Sequence, residues 1–363
     1  SLTLVYVDGT EGWKAVEEGT GYIGEKFIEA TGGTITTCGN FKIHTFNGPG
    51  TFTVCSLAIS SPNNVVDYMV VAGGGGSGKN RGGGGGGGGF RESSGAASGC
   101  YTRSPLGACV SALPVSVQSY PIPVGGGGAA STGESVRGST GANSVFSTIT
   151  SAGGGGGGGY SGEKCGANGG SGGGGGSSGP ANVPSGRSGG SGNTPPVSPP
   201  QGKDGGAAPR TSQNAAASGA GSIGSSQAPP SVSLPAGGTN NNQGSPIPAA
   251  NGGLGGDGGA GVTSSISGAA TGYAGGGGGG GSDDFPGAPA NDIGGTGGLQ
   301  GTCATGTTSQ FGAGNGGTET GTAPNNGVAG TANTGGGAGG GAGATGCGAA
   351  GGSGVVIIRY RFK

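Results

Sequence analysis

Charge is scarce in this chain of 363 residues. Charged side chains make up 9%, and 15 Lys and Arg against 16 Asp and Glu leave a net charge of -1. A protein that neutralises phosphates needs a basic stripe, so the balance argues against a nucleic-acid partner and against an anionic membrane surface. No window approaches the roughly 18 consecutive apolar residues of a membrane span, and no membrane insertion is expected. Ser1 to Val7 alternates like a strand and lacks the regions of a signal peptide. There is 1 histidine, His44. A His-based triad or metal cluster is therefore hard to assemble, and the alternation around His44 reads as a residue on a sheet surface. Aromatics reach 5% and hydrophobic residues 30%, too little for a conventional core through the whole chain.

The 7 cysteines include no C-x-x-C pair, which removes the usual zinc and redox signatures. Cys100 and Cys109 flank an excursion that a disulfide could staple or leave open. Gly73 to Lys79 fits G-x-x-x-x-G-K, yet Asn80 and Arg81 follow in place of Ser or Thr and a helix, and then eight glycines. No nucleotide, metal or other cofactor is expected. Sixteen scattered acidic residues offer no evident glycosidase pair, and the expectation is a protein that is not an enzyme.

What fills the chain is glycine, 105 residues of it, in uninterrupted runs such as Gly82 to Gly89, Gly153 to Gly159 and Gly275 to Gly281. Collagen requires glycine at every third position, and runs of seven or eight violate that rule. The remaining regular option is polyglycine II, an extended helix with three residues per turn and no internal hydrogen bonds. Its backbone groups must be satisfied by neighbouring helices, because buried unpaired ones are costly. Gly252 to Ala260 shows the corresponding period, with Leu254, Asp257 and Ala260 on one edge. The fold class expected is mostly β plus a polyglycine II helix bundle, with essentially no α-helix.

Strand signals bracket the glycine. Leu2 to Val7, Trp13 to Val16, Thr34 to Thr37, Phe41 to Phe46, Thr51 to Leu57 and Val65 to Ala72 read as strands separated by Asp-Gly, Cys-Gly-Asn and Asn-Gly-Pro-Gly turns. Val355 to Phe362 is the strongest strand, with Arg359 and Arg361 on one face and Ile358, Tyr360 and Phe362 on the other. The organisation expected is a β-sheet domain of residues 1–72 plus 351–363, closed by the terminal strand. A glycine-rich bundle of residues 73–350 is inserted in it, with a β island at 115–150 and surface loops. Pro121 and Pro123 confine the first strand of the island to an edge, and the Pro-rich stretch from Ser177 to Ala250 favours polyproline II and turns.

Aromatics cluster at or beyond the ends of glycine runs, where they either anchor a ligand or cap the bundle against water. The candidate binding residues are Phe90, Tyr101, Arg103, Tyr160, Lys164, Asp283, Asp284 and Phe285, from turns that interrupt glycine with aromatics, charges or cysteine.

Thr31 to Val54 (TGGTITTCGNFKIHTFNGPGTFTV), Val66 to Gly76 (VDYMVVAGGGG), Tyr120 to Gly128 (YPIPVGGGG), Gly141 to Gly159 (GANSVFSTITSAGGGGGGG) and Gly351 to Phe362 (GGSGVVIIRYRF) follow one another in a set order. Together they resemble a glycine-rich domain of tail fibres and other virion proteins of marine bacteriophages. The bundle also looks like that of phage adhesins whose glycine helices form a slab with receptor-contacting turns at its distal end. The resemblance implies an extracellular, virion-borne tail-fibre adhesin. Its partners would be a host surface glycan or outer-membrane protein and further tail-fibre chains in a homotrimer. A structural virion protein, an extracellular filament subunit or a decoration protein is the alternative, and an ice-binding face is a weaker one.

Overall fold

The computed structural model describes residues 3–7, 12–16, 27–99, 101–107, 110–176, 188–208, 255–281, 297, 311–318 and 326–363. Among these residues there is no α-helix; two single 3-10 turns, Ser61–Asn63 and Pro105–Gly107, accompany a set of antiparallel strands. The Cys100 and Cys109 pair, whose bridging the sequence leaves open, lies outside the described residues.

The principal sheet runs in the order Thr34–Cys38, Phe41–Phe46, Val355–Arg361, Val65–Val71, Phe90–Glu92, with Leu113–Pro114 pairing the start of Val65–Val71. The terminal strand is thus central, with Ile358 opposite His44 on one side and Tyr68 on the other. A second sheet, Ser119–Ile122, Gly50–Ser56 and Glu29–Thr31, covers one face. Ser119–Ile122 is its edge, where Pro121 can sit without a donor. The segment around 119 therefore belongs with Gly50–Ser56, while Ser144–Phe146 pairs with Ile149–Ser151 as a separate hairpin.

Alternation explains the core on that face. Val66, Tyr68 and Val70 join Val356, Ile358 and Tyr360 there, with Phe52, Tyr120, Ile122 and Phe146 from the covering elements. The rings meet edge to face, Phe52 on Phe146 at 6.0 Å and Tyr68 on Phe146 at 6.4 Å, an arrangement the ring quadrupole favours. The opposite face is buried too. Met69, Val71, Val355, Ile357 and Phe90 pack against the hairpin Val262–Ser264/Thr271–Tyr273 and Ile266. Covering on both sides is why Val355–Ile358 is continuously apolar, and it puts Arg359 at 1% exposure.

His44 departs from the sheet-surface reading. It is fully buried, Nδ1–H donates to the Gly32 carbonyl at 2.7 Å, and Nε2 accepts from the Tyr360 hydroxyl at 3.1 Å. A carbonyl can only accept, so this contact fixes the neutral tautomer. Its ring stacks on Tyr360 at 5.6 Å. Burial, the largest influence, holds the imidazole below its ordinary pKa against the opposing pull of the Gly32 bond.

The glycine runs leave the strands of the two sheets and the two hairpins at Ala72, Val124, Ala152 and Ala274, and come back to strands at Phe90, Ser144, Val262 and Val355. Gly73 to Gly78 shows how they are held. Gly73 and Gly76 donate to Ala142 and Ser139, Gly74 and Ser77 to Gly352 and Ala349, Gly75 and Gly78 to Gly86 and Gly83. Their carbonyls accept from Gly154 and Gly157, Gly128 and Ser131, and Ala338 and Gly341, in the same order of pairs. Every partner recurs at the third residue, so one run is bonded to six neighbours at 2.8–3.1 Å. Donor partners count down the chain and acceptor partners count up, so three neighbours are antiparallel and three parallel. A Cβ at Gly155 would land on the Ala167 carbonyl, and one at Gly75 on that of Gly155. Only glycine permits this approach.

Candidate functional site

The runs give the molecule two ends, the sheet at one and a set of reversals at the other. At the far end Asn80 and Arg81 take the left-handed conformation, with φ of 52° and 53°, and turn Gly73–Gly78 into Gly82–Gly89. The Asn80 N–H donates to Gly346 in the neighbouring reversal at 2.9 Å. The Arg81 guanidinium lies over the Tyr160 ring at 5.2 Å, a cation–π contact between two turns.

Two further reversals, 132–137 and 160–165, are stitched together. Ser161 N–H donates to Glu134 O at 3.0 Å, Glu163 N–H to Ser135 O at 2.9 Å, and the hydroxyls of Ser135 and Ser161 lie 2.8 Å apart. Arg137 pairs with Glu163 at 3.6 Å. That pair is half exposed, worth about 0–1 kcal/mol, so the backbone bonds fix the shape. Tyr160 and Lys164 are partly exposed on this frame, beside exposed Val136. The result is a surface offering a phenol, an ammonium and an apolar side chain.

The sequence candidates divide between the two ends. Tyr160 and Lys164 share one far reversal. Phe90 is at the sheet, 1% exposed and packed on Tyr273 at 6.4 Å, so it belongs to the core and is corrected as a binding residue. A glycine run does end there, but it ends inside the sandwich. Tyr101 also lies at the sheet, half-buried, with its ring 5.1 Å from the Arg359 guanidinium. Its hydroxyl is pushed well above the usual tyrosine range by burial, then by Asp67 and Glu92. Arg103 is exposed on the same loop and donates through Nη1 to the Ser94 carbonyl. Asp283, Asp284 and Phe285 lie outside the described residues.

A buried polar cluster at the sheet end was not among the candidates. Asp67 accepts from Ser93 Oγ at 2.7 Å and Ser98 Oγ at 2.6 Å. Glu92 accepts from the Ser104 N–H at 2.7 Å and from Ser264 Oγ. Burial raises the Glu92 pKa, with its hydrogen bonds opposing. The space beside Glu92, between Phe90, Arg91, Pro199 and Pro200, is about 10 Å³, room for about one water. These carboxylates anchor the 93–104 loop and the Val262–Tyr273 hairpin to the sheet. Asp67 within the apolar run Val65–Val71 was the available signal, since its parity places it beside Met69 and Val71.

No curated protein matches the chain. The profile of a glycine-rich domain family matches residues 47–298, which takes in two strands of the second sheet, the reversals at 79–81, 132–137 and 160–165 and most of the glycine runs, and the chain belongs to that glycine-rich domain family.

Proposed function

We propose that the glycine runs are polyglycine II helices packed as a bundle, and that the chain is a tail-fibre adhesin of a phage virion. In this reading the sheet domain, residues 1–72 plus 351–363, joins the fibre as a homotrimer, and the far reversals of the 73–350 insertion touch a host glycan or outer-membrane protein. No catalytic step is involved.

The observation that carries the reading is the change of hydrogen-bond partner at each successive residue with return at the third. A helix of three residues per turn points successive N–H groups about 120° apart. Six satisfied directions make a platform stiff without a hydrophobic core, and reversals on a stiff platform can vary in sequence while the fold persists. The resemblance to virion glycine-rich domains supplies the setting.

Adsorption to susceptible host cells tests it. Tyr160→Ala should reduce adsorption several-fold while stability changes by less than about 1 kcal/mol, the range for surface substitutions. Adsorption that survives substitution of the far reversals and disappears on altering the sheet would place recognition at the other end. A chain that binds no susceptible host would favour the structural virion or filament reading.

A further inference from the structure

At the sheet end, away from the reversals assigned to the host, one cation is left incompletely served. Arg359 is 1% exposed. Its Nη1 donates to the Ile266 carbonyl at 3.4 Å, while Nε and Nη2 have no hydrogen-bond partner among the described residues. The guanidinium lies between two rings, Phe41 at 4.9 Å and Tyr101 at 5.1 Å. Rings stabilise the charge but accept no in-plane hydrogen bond. The obvious internal counter-ions are engaged elsewhere, Asp67 by Ser93 and Ser98, and Glu92 by Ser104 and Ser264. A buried guanidinium with two idle donors is expensive, and an oxyanion is the group that satisfies two of them at once.

An opening adjoins it. Arg359 and Arg361 line an open depression of about 500 Å³ together with Phe41, Asn40, Gly39 and Cys38. Arg361 lies two residues along the same strand and therefore on the same face. It is exposed and commits Nε to the Lys363 carbonyl at 3.1 Å. Two guanidinium groups, an aromatic wall and a volume within the range of small-molecule sites meet in one place.

We infer that this depression binds an oxyanion-bearing ligand of about monosaccharide size, its carboxylate or phosphate held by Arg359 and Arg361 beside Phe41. Arg359 supplies the buried charge at the inner wall of the depression. Arg361 supplies the exposed fork. A carboxylated sugar and a phosphate ester share this chemistry, and the probes below separate them.

The test uses the full chain without host cells, so its failure leaves the adhesion reading untouched. Glucuronate, inorganic phosphate and glucose are titrated while the amides of Asn40 and Phe41 are followed by NMR. In parallel, the modification of Arg361 by phenylglyoxal is measured with and without each probe. Saturable shifts and protection with glucuronate or phosphate, and neither with glucose, are expected. Glucuronate alone would identify a carboxylate ligand, phosphate alone a phosphorylated one, and competition between them a site for both. Arg361→Ala should weaken binding on the order of tenfold, the loss of one charge-assisted hydrogen bond. Arg359→Gln should abolish it; if that variant does not fold, Arg361→Ala and the protection assay still decide. Absence of saturable binding by both anions, equal shifts with glucose, or wild-type affinity in Arg361→Ala would overturn the assignment.

Discussion

At the scale of the residue, the absence of a side chain is what the glycine positions require, and the requirement differs from one glycine to the next. Gly155 bonds to Ser171 through its N–H and accepts from Gly86, and a Cβ there would collide with the Ala167 carbonyl. Gly126 accepts a bond from Ala142 but faces outward, and a methyl group placed on its Cα would meet nothing within 4 Å. Gly155→Val should therefore destabilise by roughly 1–3 kcal/mol or more, the cost of forcing atoms into a packed interior. Gly126→Ala should be close to neutral, and paired denaturation curves measure both. The single histidine gives a second prediction. Because burial lowers the His44 pKa below 6.5, the unfolded chain takes up the proton more readily than the folded one. The stability that neutral His44 contributes is present above pH 6.5 and is lost as pH falls through its folded pKa. Glu92, raised in pKa, acts in the opposite sense. Comparison of wild type with His44→Phe across pH 5 to 7.5, about the histidine range, should isolate the histidine slope, and a stability difference independent of pH would contradict it.

At the scale of the element, the long strands were legible, as were the short Trp13–Val16 and Thr34–Cys38, while several three-residue strands beside the glycine runs were not. Phe41–Phe46, Val65–Val71 and Val355–Arg361 each carry enough β-branched and aromatic residues for their pattern to stand alone. Phe90–Glu92, Val262–Ser264 and Thr271–Tyr273 are three residues each, too short to display a period. Their existence depends on partners far along the chain, which is why Phe90 read as a turn anchor and turned out to be core. The same long-range pairing hid the second covered face of the sheet, and with it the burial of Arg359. At the far end, Tyr160 and Lys164 were legible because they interrupt glycine within one reversal; the link from Arg81 to Tyr160 joins separate turns and leaves no local signal. The central place of the terminal strand has a direct consequence. Removing residues 355–363 would strip partners from both Phe41–Phe46 and Val65–Val71, leaving two sheet fragments. Circular dichroism and thermal denaturation of that truncation should show no cooperative transition, whereas persistence of one would mean that the glycine runs fold without the sheet.

At the scale of the whole molecule, the glycine segments form a mutually hydrogen-bonded array that grows from the strands. Flexible glycine linkers and the array have the same composition, and what separates them is whether backbone amides are engaged. Amide hydrogen exchange on the intact chain measures this directly. Gly75, Gly83, Gly86, Gly155 and Gly157, each donating to a neighbouring run, should exchange as slowly as Ile357 and Ile358 in the central strand. Exchange of those glycines at the rate of an unstructured peptide, with the strand amides still protected, would contradict the account.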